Sequence, residues 1–225
     1  MSYVSRNELY AAYYDCIHKK RQTTNAINFE INETYNIEQL YIELNSMSYT
    51  IGKSIVFLLT DQEGNPSREV FAADFRDRVV HHLLYNRLIA AFEKYGFIYD
   101  NYACRSGKGV LFGAHRCQEQ LQHALKDSSP SELYILKADF KNCFNTLNKT
   151  LIYTEIEKFI IQHMPNDKNM IFNLWLLKLI LYHCPQHEGN YICRSKKRSW
   201  KLLKPEKSLF NLDSAHGIAV GNLTS

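Results

Sequence analysis

The stretch best suited to do chemistry starts at Leu133 and reads Leu-Tyr-Ile-Leu-Lys-Ala-Asp-Phe-Lys-Asn-Cys-Phe. Its apolar start, Leu133 to Leu136, predicts a short buried β-strand, because β-branched and aromatic residues favour extended backbone. Asp139 follows this strand. A buried carboxylate has to be paired, hydrogen-bonded or metal-bound, since an isolated buried charge is costly. Asp139 is therefore a candidate metal ligand, and a cap of the next turn is the structural alternative.

Two glycine-containing segments are further candidates. Residues 101–109 carry Arg105, Lys108 and two glycines ahead of a predicted helix. Glycines let the backbone approach a ligand closely, and a helix N-terminus attracts phosphate, although a plain loop explains this segment equally well. Near the end of the sequence, Gly217 and Gly221 enclose a short apolar run, which predicts a tight turn.

Residues 194–207 hold seven cations and one acid, with Trp200 among them. Basic residues interleaved with an aromatic residue suit a sugar-phosphate backbone, and a solvated loop is the alternative. The basic run Lys19-Lys20-Arg21 is a second candidate for RNA contact, although such runs are usually solvated faces.

The composition excludes few classes of protein. The 225 residues carry a net charge of +4, with 45% hydrophobic and 22% charged residues, as in ordinary globular proteins. Neither a transmembrane run nor a signal peptide is visible, and six scattered cysteines without a CxxC pair fit free thiols in the cytoplasm. The spacing of His183, Cys184, His187 and Cys193 fits no common zinc pattern.

Several elements are predicted to position these residues, and together they indicate an α+β fold. Helical spacing appears over 8–20, over 37–46 behind an Asn36/Gln39 capping box, and over 74–94. Two apolar runs, 53–60 and 68–73, flank a turn-rich linker and predict a β-hairpin. Two more helices are predicted, one from Asn148 to about Gln162 and one that Asp167 caps and that ends near His183.

Five blocks in order resemble a bacterial reverse transcriptase. The resemblance covers roughly residues 50 to 225, and no single block is decisive. The blocks are Arg68-Glu-Val-Phe, Phe75-Arg-Asp-Arg-Val-Val-His-His-Leu-Leu, Asn101-Tyr-Ala-Cys-Arg-Ser-Gly-Lys-Gly, Lys137-Ala-Asp-Phe-Lys-Asn-Cys-Phe and Gly217-Ile-Ala-Val-Gly-Asn-Leu-Thr-Ser.

The resemblance implies a right-hand polymerase fold with fingers and an incomplete palm. An N-terminal helical extension would cover residues 1–50, the fingers 51–130 and the partial palm 131–225. The implied reaction is RNA-directed DNA synthesis, a nucleotidyl transfer that uses two Mg²⁺ ions. The implied partners are an RNA template, a DNA or RNA primer and deoxynucleotide triphosphates, with an accessory protein as a further candidate and no membrane.

The resemblance also implies roles for individual residues. Asp139 matches the family's first metal-binding aspartate, and the main-chain carbonyl of Phe140 would bind the same metal. Phe144 matches the aromatic residue that rejects a 2′-hydroxyl. Arg68 matches the arginine that clamps the triphosphate. Further nucleotide contacts are implied for Gly217, Gly221 and Asn222, and template or primer contacts for Arg105 and Lys108.

The sequence departs from the family pattern in three ways. Where the family often has a lysine upstream of Arg68, this sequence has Asp61-Gln-Glu-Gly. Ala219-Val220 replaces the frequent Pro-Gln, as in diversity-generating retroelements. The Tyr-x-Asp-Asp turn and the thumb are not found in the sequence, so we expect residues 1–225 to be inactive alone.

Three other functions stay open. The first is a non-catalytic, RNA-binding or scaffolding relative of the polymerase. The second is template-independent DNA synthesis in phage defence. The third is a general α+β interaction domain.

Overall fold

The computed structural model describes residues 2–18, 22–128 and 133–223, apart from the side chains of 127, 128 and 197. Lys19-Lys20-Arg21 and the predicted boundary between 130 and 131 lie outside these residues. The chain forms two compact units: unit 1 is Met1–Ala91 with Asn142–Ser225, and unit 2 is Phe92–Lys141.

The first half of unit 1 contains four helices and a β-hairpin. The helices are α1 (Arg6–Ile17), α2 (Thr24–Ile31), α3 (Glu33–Asn45) and α4 (Phe75–Ala91), and the hairpin strands are β1 (Ser54–Thr60) and β2 (Pro66–Ala72). Ser5 and Glu8 form a capping box at the start of α1. Helix α3 begins three residues before the predicted Asn36 cap, at Glu33, so the Asn36/Gln39 capping box was wrong.

The second half of unit 1 contains three helices, one short strand and three 3₁₀ turns. The helices are α6 (Cys143–Thr146), α7 (Lys149–His163) and α8 (Met170–Tyr182), and the strand is β3 (Tyr191–Cys193). The 3₁₀ turns cover Lys197–Leu202, Pro205–Lys207 and Leu209–Asn211. The predicted cap of α7 is confirmed, since the Asn148 side chain accepts a hydrogen bond from the backbone N–H of Leu151 at 2.9 Å.

The sheet has the strand order β2-β1-β3, with β1 antiparallel to β2 and parallel to β3. The predicted hairpin is confirmed: Leu59 lies opposite Arg68 and Ile55 opposite Ala72. On one face of the sheet, Val56 of β1 and Phe71 of β2 pack with Leu209 in a core cluster. With helices and a small sheet in one chain, the α+β class is confirmed.

A second core lies among the helices of unit 1. Tyr13 of α1 stacks on Phe29 of α2 at 5.7 Å between ring centroids, and Phe29 contacts Phe75 of α4 at 5.1 Å. All three aromatic side chains are at least 94% buried, and Leu9 and Leu83 are buried as well. This aromatic packing fixes α4, which starts three residues after β2 ends.

Unit 2 contains one π-helical turn, Phe92–Gly96, and one long helix, α5 (Val110–Ser128). The loop before α5 was predicted correctly, but the buried strand at Leu133–Leu136 was wrong. Residues 133–140 form no strand, and Tyr134 and Leu136 are 86% and 91% exposed. No strand in the described part of the chain pairs with this segment, so its backbone polar groups would be unsatisfied if it were buried.

The assignment to a right-hand polymerase fold stays a prediction, as do the domain bounds 1–50, 51–130 and 131–225. Within the described ranges, none of the helices has the length and apolar character needed to cross a bilayer.

Candidate functional site

The segment Gly217–Asn222 is fastened to the end of β2. The backbone N–H of Phe71 donates to the carbonyl of Val220 at 3.2 Å. The Asn222 side chain adds two bonds: its Oδ1 accepts from the N–H of Ala73 at 3.0 Å, and its Nδ2 donates to the carbonyl of Phe71 at 3.4 Å. Asn222 therefore orders the backbone where β2 turns towards α4.

The other end of the same segment is fastened to the residues around α6. The N–H of Gly217 donates to the carbonyl of Leu147 at 2.9 Å, and the N–H of Ile218 donates to the carbonyl of Phe144 at 2.9 Å. The Phe144 ring itself is 40% exposed. The structure thus brings the backbone of Phe144, the glycine segment and β2 together, although they are far apart in sequence.

Both glycines of this segment are required by geometry. Gly217 has a φ of +83°, and a Cβ on it would lie 2.7 Å from Cδ2 of Leu209 and 2.8 Å from Cδ1 of Leu212. Gly221 has a φ of +117°, and its Cβ would lie 2.8 Å from Cγ1 of Val70. A side chain at either position would meet both backbone strain and a steric clash.

Arg68 is exposed and lies on β2, two residues before Val70. Side chains two apart on a strand point to the same face of the sheet. Arg68 therefore lies on the face that Gly221 approaches through Val70. The predicted nucleotide contacts Arg68, Gly221 and Asn222 share one region of unit 1.

Glu69, the neighbour of Arg68, points to the opposite face and is only 6% exposed. Its carboxylate accepts hydrogen bonds from the indole Nε1 of Trp200 at 2.5 Å, the hydroxyl of Ser208 at 2.7 Å and the N–H of Leu209 at 2.8 Å. Trp200 is thus partly buried and packs against the core cluster of Val56, Phe71 and Leu209. The buried carboxylate supplies the partner that the indole N–H needs, and a nucleic-acid contact of this segment stays a prediction.

The cations around Trp200 are exposed, as the sequence predicted. Of the seven cations in 194–207, the six with described side chains are all exposed: Arg194, Lys196, Arg198, Lys201, Lys204 and Lys207. None of them forms an ion pair with another side chain in the described ranges. This basic surface is available to a polyanion.

A cleft of about 290 Å³ in unit 1 carries two arginines, Arg78 of α4 and Arg194. The Nε of Arg78 donates to the carbonyl of Ala73 at 2.9 Å, which anchors the guanidinium at the cleft. No carboxylate lines this cleft within the described residues. The arrangement can accept an anion.

The two aspartates at the start of α4 are held by hydrogen bonds within unit 1. Asp74 caps the helix by accepting the N–H of Arg76 at 3.0 Å. Asp77 is 1% exposed and accepts the hydroxyl of Tyr49 at 2.6 Å and the N–H of Gly52 at 2.9 Å. Burial raises the pKa of Asp77 to about 6, although these two hydrogen bonds oppose the rise. The carboxyl holds the segment that leads into β1.

In unit 2, Arg105 is engaged by its own loop. The guanidinium pairs with the carboxylate of Glu93 at 2.5 Å and donates to the carbonyls of Ile98 and Asn101, each at 2.9 Å. Its side chain is only 7% exposed. A phosphate contact of Arg105 stays a prediction, and it requires these internal bonds to open.

Lys108 is also held within unit 2. Its ammonium donates to the carbonyl of Tyr99 and lies 4.1 Å from the centroid of the Tyr99 ring, a cation–π arrangement. Its role at a template or primer stays a prediction.

Asp139 and Phe140 lie in the irregular segment of unit 2, and both are exposed. In the part of the chain that the structure describes, no three His, Cys, Asp or Glu side chains lie together so as to hold a metal ion. Asp139 with the Phe140 carbonyl is a smaller set of oxygens than Mg²⁺ needs. The zinc candidates of 183–193 are not assembled either.

Sequence reasoning missed two residues of this region. Glu69 gave no signal, because a glutamate in a strand usually faces solvent, and only the packing of 200–209 shows its role. Arg78 gave no signal of a binding site either, because its cleft with Arg194 joins segments more than a hundred residues apart.

The chain was compared with known proteins. No protein-family model matches it, and no curated protein is significantly similar to it.

Proposed function

We propose that this chain is the nucleotide-binding part of an RNA-directed DNA polymerase. One observation carries the proposal. Three sequence blocks that the resemblance assigns to one nucleotide site, at Arg68, Phe144 and 217–222, converge in unit 1 through the hydrogen bonds between Phe71 and Val220 and between Ile218 and Phe144. Blocks separated by some seventy residues in sequence thus lie in one region of unit 1, as a shared nucleotide site requires.

The charges of unit 1 support a polyanionic ligand. Arg68 is exposed on β2, and the arginines of the cleft and the cations of 194–207 add positive charge without carboxylate partners among the described residues. Guanidinium groups suit phosphate because they can donate two parallel hydrogen bonds. In this proposal Arg68 binds the triphosphate, and the basic surface binds template or primer.

The proposed metal ligands are Asp139 and the carbonyl of Phe140. A Mg²⁺ ion supplies charge stabilisation for phosphoryl transfer when it is bound. The described residues bring no further ligand to these two, and therefore the proposal assigns no reaction step to them beyond metal binding.

The test is primer extension on an RNA template, with Mg²⁺ and deoxynucleotides, by the longest product of the gene that contains residues 1–225. We expect DNA complementary to the template. Asp139→Asn should abolish synthesis, and Arg68→Ala should weaken deoxynucleotide use at least tenfold. Glu63→Gln, which changes an exposed carboxylate in the hairpin turn, is the matched control and should be fully active.

A second candidate function is nucleic-acid binding without catalysis. Two observations favour it. Residues 194–207 form an exposed basic surface, and the described residues contain no cluster of metal ligands. Under this alternative, no product forms, Asp139→Asn leaves binding of RNA unchanged, and charge reversal in 194–207 weakens it. DNA whose sequence is independent of the template would instead indicate untemplated synthesis.

A further inference from the structure

A cavity of about 100 Å³ lies directly behind the segment Gly217–Asn222 in unit 1. Most of its lining residues are apolar, several of them from α4, α7 and α8, and the segment itself forms one side. The lining includes Leu84, Ile152, Ile156, Leu177, Ile180 and Ile218.

Two histidines, His81 of α4 and His183 after α8, also line this cavity. Nε2 of His183 is buried and, within the described residues, has no hydrogen-bond partner. A buried polar atom left unpaired costs roughly 1–3 kcal/mol, and such atoms are rare in folded proteins. This atom therefore indicates a partner that the protein chain does not supply.

The cavity favours a neutral partner. Burial, and after it the nearby His82 and Arg78, lower the pKa of His81 to about 4. Burial, and after it the charge of Lys149, lowers the pKa of His183 too. Both imidazoles are therefore neutral at pH 7, and a neutral imidazole offers one donor and one acceptor nitrogen. Among the described residues, no charged side chain lines the cavity, so an ion would lose its hydration without compensation.

The size and lining point to an organic molecule rather than to water. Buried waters typically make about three hydrogen bonds, whereas most of this wall is aliphatic. Engineered apolar cavities of about 150 Å³ accept benzene, so this cavity suits a somewhat smaller ring.

We propose that this cavity is a binding site for a small, neutral, mostly apolar ring with one hydrogen-bonding edge, of the azole type. The ring packs against Ile152, Ile156 and Ile218, and its edge pairs with Nε2 of His183. An azole of the pyrazole type carries adjacent donor and acceptor nitrogens, and so it matches Nε2 in either tautomer. The site shares Gly217 and Asn222 with the proposed nucleotide contacts, but the binding of a small ring there does not depend on the binding of a nucleotide.

Binding there affects the segment Gly217–Asn222, because Ile218, Ala219 and Asn222 form part of the wall. A ligand that fills the cavity supports these residues from behind and lowers the freedom of the segment. The site thus offers a way for a small molecule to change the order of the segment that lies on β2.

The test uses pyrazole as the ligand and furan as a matched ring without the N–H group. Pyrazole at millimolar concentration should raise the Tm of the chain and shift the methyl resonances of Ile152, Ile156 and Ile218 in NMR spectra. Furan should bind about tenfold more weakly, the equivalent of one lost hydrogen bond. This comparison uses the unaltered protein.

Two variants locate the binding. His183→Phe removes the polar partner and should make pyrazole and furan equally weak, while Ile156→Phe fills the cavity and should abolish the binding of both. The proposal is overturned if the lining methyl groups do not respond to pyrazole, if furan binds as well as pyrazole, or if NMR detects only water in the cavity.

Discussion

The two units each present a glycine-containing loop that the sequence linked to phosphate or nucleotide, and the loops are held in opposite ways. In unit 2, Arg105 closes its loop by pairing with Glu93, only 12 residues away. In unit 1, Asn222 bonds to Ala73, 149 residues away. The first loop is ordered by its neighbours in sequence, and the second by the fold of the whole unit.

This difference has a consequence for function. Arg105 and Lys108 form their hydrogen bonds within their own unit. They can therefore bind a ligand only after these internal bonds open. A segment fastened by its backbone leaves neighbouring side chains free to face solvent, as Arg68 and Phe144 do. Unit 1 is therefore the better prepared of the two for a ligand.

The strongest test of this comparison is Gly217→Ala. The added methyl group meets the side chains of Leu209 and Leu212 at a φ of +83°, so strain and overpacking should together lower the free energy of unfolding by about 3 kcal/mol. Gly189→Ala is the matched control in the same unit, since Gly189 has a φ of +88° and nothing within 4 Å of the added Cβ. We expect it to lower the free energy of unfolding, measured by urea denaturation, by about 1 kcal/mol. Equal losses in the two variants would show that the segment is not fastened as described.

The second test concerns the buried carboxyl group of Asp77 in unit 1. The pKa of Asp77 is raised from 3.8 to about 6 in the folded chain, so its protonated form favours folding. This contribution is fully present below pH 3.8 and is lost as the pH rises through about 6. The free energy of unfolding of the wild type relative to Asp77→Asn should therefore fall between pH 4 and pH 7, by up to about 3 kcal/mol.

The control for this measurement is Asp100 of unit 2. Arg116 and the hydroxyl of Tyr102 lower the pKa of Asp100, so its contribution is present above its usual pKa and is lost as the pH falls. The difference in stability between the wild type and Asp100→Asn, measured by hydrogen exchange in unit 2, should therefore change with pH in the opposite direction. A flat difference curve for Asp77→Asn would contradict the burial of that carboxyl.

The smallest effect is expected for Arg105→Lys. A lysine keeps the charge but cannot reach Glu93 and the carbonyls of Ile98 and Asn101 together, since it lacks the planar fork of arginine. Amides in 101–108 should exchange several-fold faster, with little change in global stability. Lys94→Arg, near the same loop in sequence, should leave these rates unchanged. If Arg105→Lys slowed exchange, the internal network would not be what orders this loop.

Most of the local elements could be predicted from sequence patterns. Helical periodicity located α1, α4, α7 and α8, and the turn-rich linker located the hairpin, because these patterns depend on contacts a few residues apart. The exposure of the 194–207 cations also followed from composition alone. The spacing of Gly217 and Gly221 also predicted a turn, whereas Asn222 was indicated only by the resemblance.

The contacts of those residues depend on the fold of the whole chain. The strand predicted at Leu133–Leu136 is absent because a strand needs a partner, and an apolar run cannot indicate whether one exists. Trp200 packs against the core cluster, and Glu69, 131 residues away, supplies its hydrogen-bond acceptor. The crowding at Gly217 likewise comes from Leu209 and Leu212 folding back over it. Contacts of this kind depend on the path of the whole chain, and the pattern of a single segment does not record that path.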